Sequence, residues 1–263
     1  MPAAARVDPK DFFSAEAWAS LSRRSAWQGV WMVAHAWIVI LGAAAVAVLW
    51  PNPLTLVVAI MLIGARQLGL AILMHEAAHA GLHNNLKVND FLGEWLCGAP
   101  VGASLARYRP YHLTHHRYAQ QAEDPDLLLS APFPITRTSL RRKMIRDLTG
   151  QTFYKQRIAP TISAITTAKA RGASRAQVTR GLVDFWGRFA IANGVLLALA
   201  VVSGAWWAYP VLWIVPMATW YPLVTRLRNI AEHACTPDNN DPLRHARTTH
   251  AGWIARALIA PTT

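Results

Sequence analysis

Three histidine clusters carry the chemistry open to this chain: His75-Glu76-Ala77-Ala78-His79, His112-Leu113-Thr114-His115-His116, and His233, four residues after Asn229. On a helix, residues three and four apart share a face, so each cluster points its imidazoles one way. Imidazole suits iron, copper, zinc and nickel, and six histidines exceed the four ligands of a tetrahedral zinc. The pattern predicts a site for more than one metal ion. Taken alone, His75 to His79 also fits the HExxH of a zinc metalloprotease, with Glu76 as base, but that reading leaves HxxHH unexplained. Asp124-Pro125-Asp126 follows the second cluster. Its carboxylates suit either orientation of ligating imidazoles or a turn with helix capping.

Membrane-length segments stand beside these clusters. Hydrophobic residues make up 53% of the chain and charged ones 15%, which places it in the membrane class. Four apolar stretches, near 30–50, 54–74, 185–208 and 210–226, are each about the 20 residues that cross the hydrocarbon of a bilayer. The links Pro51-Asn52-Pro53 and Tyr209-Pro210 are short, so each pair reads as a helical hairpin. Four Lys/Arg precede the first stretch, fifteen lie between Asn84 and Asp184, and five follow from Arg226. By the positive-inside rule both termini and the middle segment face the cytoplasm. The net charge of +12 is thereby a topology signal, and nucleic acid is not expected as a partner. Trp50, Trp206, Trp207 and Tyr209 fit an interfacial aromatic belt.

The second stretch ends near Met74, the fourth runs into Arg226 and Asn229, and residues 91–105 look interfacial or re-entrant. All three clusters are therefore expected on one plane at the cytoplasmic surface. The fold class expected is an all-α membrane protein with about four transmembrane helices in two hairpins and a cytoplasmic helical cap carrying the histidines. A single domain, 1–263, divides into a first hairpin at 30–74, a cytoplasmic segment at 75–184, a second hairpin at 185–226 and a C-terminal cytoplasmic segment at 227–263. Residues 1–29 show no signal-peptide cleavage pattern. Cys97 and Cys235 imply no disulfide framework. Lone His35 is expected to be packed, His83 interfacial, and Arg66 turned to the bundle or snorkelling, with contact to a polar part of a substrate as its functional alternative.

Together HxxxH, HxxHH-R with its Asp-Pro-Asp, and NxxxH resemble the membrane-bound fatty acid desaturase and hydroxylase family, over most of the chain from the first hairpin to His233. The resemblance implies two irons held by His75, His79, His112, His115, His116 and His233, with Asn229 reaching iron through water. It implies O2 as co-substrate, a lipid or acyl substrate, and hydrogen removal from an unactivated C–H bond. No His-Pro-Gly-Gly haem segment or CxxC pair is present, so electrons are expected from a separate ferredoxin, rubredoxin or cytochrome. The location implied is the inner, cytoplasmic membrane if the source is bacterial. The family's last HxxHH does not follow His233; the chain runs through Arg247-Thr248-Thr249 to Thr263. His245 and His250 are weak substitutes. The expectation is a truncated form with little turnover by itself. An intramembrane zinc protease and an inactive membrane remnant are the alternatives.

Overall fold

The computed structural model describes residues 8–23, 25, 27–119, 121–127, 132–236 and 247–259, and the regular structure among them is all helical. After a short α1 (Ala15–Leu21), α2 (Gln28–Leu49) and α3 (Pro53–Ala78) form the first hairpin. Its turn is local chemistry. Asn52 caps α3 by accepting from the amides of Leu54 and Thr55, Thr55 returns a capping-box bond, and Pro53 supplies a fixed φ in the first turn. α2 buries Gly29, Val33, Ala36, Ile40 and Ala47, a stripe at three- and four-residue steps. Small residues there let two backbones approach where lipid offers no hydrophobic drive.

α3 is the hub. Most residues from Ile63 to Ala78 are buried, whereas α8 (Arg175–Val202) buries only Asn193 among its residues. Between them lie α4 (Leu86–Phe91), which continues through a wide π turn, Leu92–Gly98, and a tight 3-10 turn, Ala99–Val101, then α5 (Leu105–Tyr118), α6 (Arg137–Leu148) and α7 (Ala159–Ala170). The apolar 91–105 segment is folded against α3. Gly93 makes that possible, since a Cβ there would stand 2.3 Å from the Cβ of Ala77.

Among the described residues, three helices are long and apolar enough to cross a membrane: α2, α3 and α8. The third starts ten residues before the predicted 185, because Ser174 and Gln177 form a capping box in the basic segment. It ends at Val202 rather than 208. The fourth predicted stretch, 210–226, is not one helix. It is laid down as Tyr209–Ile214, Val215–Ala218 and the start of α9 (Trp220–His233), with a break at Thr219. Pro210, Pro216 and Pro222 each lack the N–H that an unbroken helix would use.

Polar side chains hold these pieces where apolar contact alone is not directional. Asn193 uses all four of its positions: its amide donates to the carbonyls of Pro100 and Phe189, and its oxygen accepts from Tyr209 Oη and Trp213 Nε1. Gln67 donates to the Trp213 carbonyl at 2.9 Å. Arg66 faces the bundle, as its burial cost requires. Its guanidinium donates to the Ala257 carbonyl at 3.2 Å, at the C-terminal end of α10 (Trp253–Leu258), where a cation satisfies orphan carbonyls and the helix dipole. Trp220 adds a bond to the Leu258 carbonyl. Arg66→Met is therefore expected to release α10 while the α2–α3 hairpin stays folded. Hydrogen exchange should show faster exchange confined to about residues 247–259.

Candidate metal centre

α3 carries His75 in its last turn, and His79 is its C-cap. α5 must be brought against that end, and two charged residues do so. Glu94 is buried in the preceding wide turn and accepts from the Ala106 amide at 3.2 Å, a carboxylate at the α5 N-terminus. The second hold comes three residues after Ala106. Arg109 donates to the carbonyls of Ala77 and Ala78, the end of α3, and forms a two-point pair with Asp90. Asn89 donates to the Ala77 carbonyl from the same side. One guanidinium thus locks the helix bearing HxxHH onto the end of the helix bearing HxxxH.

The result is a knot of imidazoles. One ligand nitrogen from each of His75, His79, His112 and His116 lies within 4.8 Å of the others. His112 Nε2 is 2.8 Å from His79 Nε2 and 2.9 Å from His116 Nε2. Two nitrogens about 2.1 Å from a shared ion stand about 3.0–3.4 Å apart at right or tetrahedral angles and about 4.2 Å apart when opposite, so the His79–His112–His116 contacts come near one coordination shell and the 4.8 Å spread of all four is slightly wider.

Three of the six imidazoles have their other ring nitrogen engaged. His75 Nδ1 meets Glu76 Oε1 at 3.0 Å, His112 Nδ1 meets Tyr108 Oη at 3.2 Å, and His115 Nδ1 meets Asp124 Oδ1 at 2.7 Å. With Nδ1–H donating in each case, the Nε2 lone pair is left for a metal. Asp124 also accepts from the Asp126 amide at 2.8 Å. It serves both readings left open by the sequence, orienting carboxylate and turn former.

His115 lies between the knot and α9, its ring centroid 5.6 Å from that of His116. Its ring centroid is 5.8 Å from that of His233. A cavity of about 190 Å3 joins His75, His112, His115, His116, His233 and Asn229, with Arg228 and Glu232 on its rim. So all six predicted ligands and Asn229 converge, four in one group and two across from it. His83 does not join them; its Nδ1 accepts from the Asn85 amide, closing the turn before α4. His35 is at an α2 face toward Trp31. His250 is exposed in a loop, and His245 lies outside the described residues.

Sequence reasoning missed Tyr108, Glu94, Asp90 and the role of Arg109. Tyr108 was findable, since it stands four residues before His112 and so on its face. The electrostatics favour neutral imidazole, the ligating form. Burial, then the neighbouring His75 and His116, push His112 down to about 2. His116 falls to about 4 for the same two reasons, with His79 the foremost neighbour, and His79 is lowered by burial and by His75. His115 is the exception: burial pulls it down, but the hydrogen bond and charge of Asp124 prevail and its pKa is raised. Asp124→Asn should therefore loosen metal binding about 10–100-fold while leaving the fold intact, read by competitive chelation of the purified protein.

The sequence profile of fatty acid desaturases matches residues 51–263. The chain belongs to the fatty acid desaturase family. A relative, dihydrorhizobitoxine desaturase of Bradyrhizobium elkanii, is 25% identical over 219 residues, which cover 80% of this chain and 60% of the relative. Three helices of membrane-crossing length and composition accord with a membrane protein of this family. The desaturase match includes all three histidine clusters, so the elements that build the centre are the matched part of the chain.

Proposed function

We propose that this chain is a di-iron, O2-dependent desaturase acting on a fatty acyl or related lipid chain in the membrane. The observation that carries this is the convergence of six imidazoles from α3, its C-cap, α5 and α9, with the Nδ1 atoms of His75, His112 and His115 engaged by Glu76, Tyr108 and Asp124. His75, His79, His112 and His116 would hold one iron. His115 and His233, with Asn229 through water, would contribute to the second. The donor set fits: it is all nitrogen, and the four imidazoles of the knot bring one nitrogen each within 4.8 Å of the others. Bound iron supplies O2 activation and the oxidising power to remove hydrogen from an alkyl C–H bond. The protein's share is positional. Arg109 and Glu94 fix α5, Asp124 holds the His115 ring, and Tyr108 holds the His112 ring.

Charge distribution supports a cytoplasmic face for the histidines and both termini, on the inner membrane if the source is bacterial. Arg141, Arg142 and Lys143 on α6 offer a cationic surface to an acidic ferredoxin, rubredoxin or cytochrome. A protease is disfavoured because Glu76 is engaged by its neighbour His75. One observation supports a substrate other than a fatty acid: the relative is named for dihydrorhizobitoxine.

The test is metal analysis of protein purified from iron-replete cells, joined to lipid analysis of a host supplying an electron carrier. Bound iron and a new double bond in low yield are expected. Zinc in place of iron, with peptide cleavage lost in Glu76→Gln, would replace this reading by the protease. Iron with no altered acyl chain would move the substrate to a smaller molecule.

A further inference from the structure

The centre's cavity shares a wall with a second space. Asn229 lines it and also lines a neck of about 110 Å3 that runs along α9 past Thr225 and Tyr221. Gln156 and Arg157 line that neck and also the inner end of a groove of about 610 Å3 between α7 and α8. Three spaces thus share walls in series, from the imidazoles to the groove.

The groove is built for hydrocarbon. α7 presents Pro160, Ala164 and Ala168 at four-residue steps, and α8 presents Val178, Leu182 and Phe185 on its facing side. Gly181 lies there too, and a Cβ added to it would meet nothing within 4 Å. Small residues leave the two helices facing each other across a gap rather than in contact. α8 is about 42 Å long against a hydrocarbon thickness of about 30 Å, so its first turns stand at the headgroup layer, where lipid chains are at hand. At the junction Arg157 donates to the carbonyl of Gly102, whose φ is +73°. That bond holds a polar side chain across the passage.

Resting on the desaturase reading above, we infer that the α7–α8 groove holds an alkyl chain of the substrate, and that Gln156 and Arg157 form the gate through which the chain reaches the histidine centre. Chain length is then set by the depth of the groove beyond that gate. The two ends are separable. Ala168 and Ala164 stand one helical turn, about 6 Å, apart, so a bulky residue at Ala164 leaves a shorter groove than one at Ala168.

The test uses the full chain in phosphatidylcholine nanodiscs with diazirine-tagged myristate, palmitate and stearate. Photolabelling, mapped by peptide mass spectrometry, needs neither iron nor turnover. Labels are expected within residues 160–186, with stearate labelling lost in Ala164→Trp and retained in part in Ala168→Trp. In cells the preferred product should shorten more in Ala164→Trp than in Ala168→Trp, since each methylene that no longer fits is worth about tenfold or more. Iron content should match the parent in both variants. Labels confined to other helices, or unchanged by either plug, would overturn the inference while leaving the desaturase reading intact. Labels in the groove of a protein that never desaturates would keep the groove and remove that reading.

Discussion

Replacing His112 with alanine is expected to reduce iron retention more than about 100-fold and to abolish desaturation, with the helical fold unchanged. Loss of a residue that merely orients a ligand already weakens a site by about 10–100-fold, and His112 is the node of this one. It is buried, and its Nε2 lies within 3 Å of both His79 and His116. Its removal takes one wall from the four-imidazole knot and frees the Tyr108 hydroxyl. The fold is spared because no helix depends on the ring: α5 is held by Glu94 and Arg109. His83→Ala provides the control, because that imidazole only closes a turn. Metal content against circular dichroism of the two variants checks this. His112→Ala protein that retains the parent's iron would refute the assignment of the knot.

Asp147→Ala is expected to have the largest effect on stability, about 3–5 kcal/mol. Asp147 is fully buried and receives Arg226 at two points, 2.5 Å and 2.9 Å, and the Thr152 hydroxyl. This pair fastens α6 to α9, the helix that carries Asn229 and His233. Deleting the carboxylate strands a partly buried guanidinium, which is worse than deleting both charges. Asp147→Ala/Arg226→Met should therefore recover much of the loss. Thermal unfolding of the three proteins in nanodiscs gives the cycle. A double variant no more stable than Asp147→Ala would mean that the pair is not the source of the effect. His233 should also lose its place in the single variant, so its metal content is expected to fall along with the melting temperature.

Much of the architecture was legible because it is local. Length and polarity of Gln28–Leu49 and Pro53–Ala78 decide a helical hairpin before any tertiary contact, and Asn52 and Pro53 mark its turn. The interrupted fourth segment was less legible, although the cause, three prolines six residues apart, stood in the sequence; apolar content was read and hydrogen-bond supply was not. Arg66 was expected to face the bundle. That it ends on the Ala257 carbonyl, 191 residues away, was beyond any local rule.

For the centre, the sequence by itself determined which residues could bind metal and that each cluster shares a face. Helical periodicity is fixed by the chain's own covalent geometry, so His112, His115 and His116 diverge by set angles wherever α5 lies. The tertiary structure alone decided the partition of those faces. It placed His112 and His116 against His75 and His79, and set His115 between His116 and His233. That choice follows from the rotation of α5 about its axis, which is set by Arg109 on the end of α3 and Glu94 at the start of α5. Their partners lie 12 to 32 residues away, and distances of that kind are settled by packing and charge pairing, not by spacing along the chain.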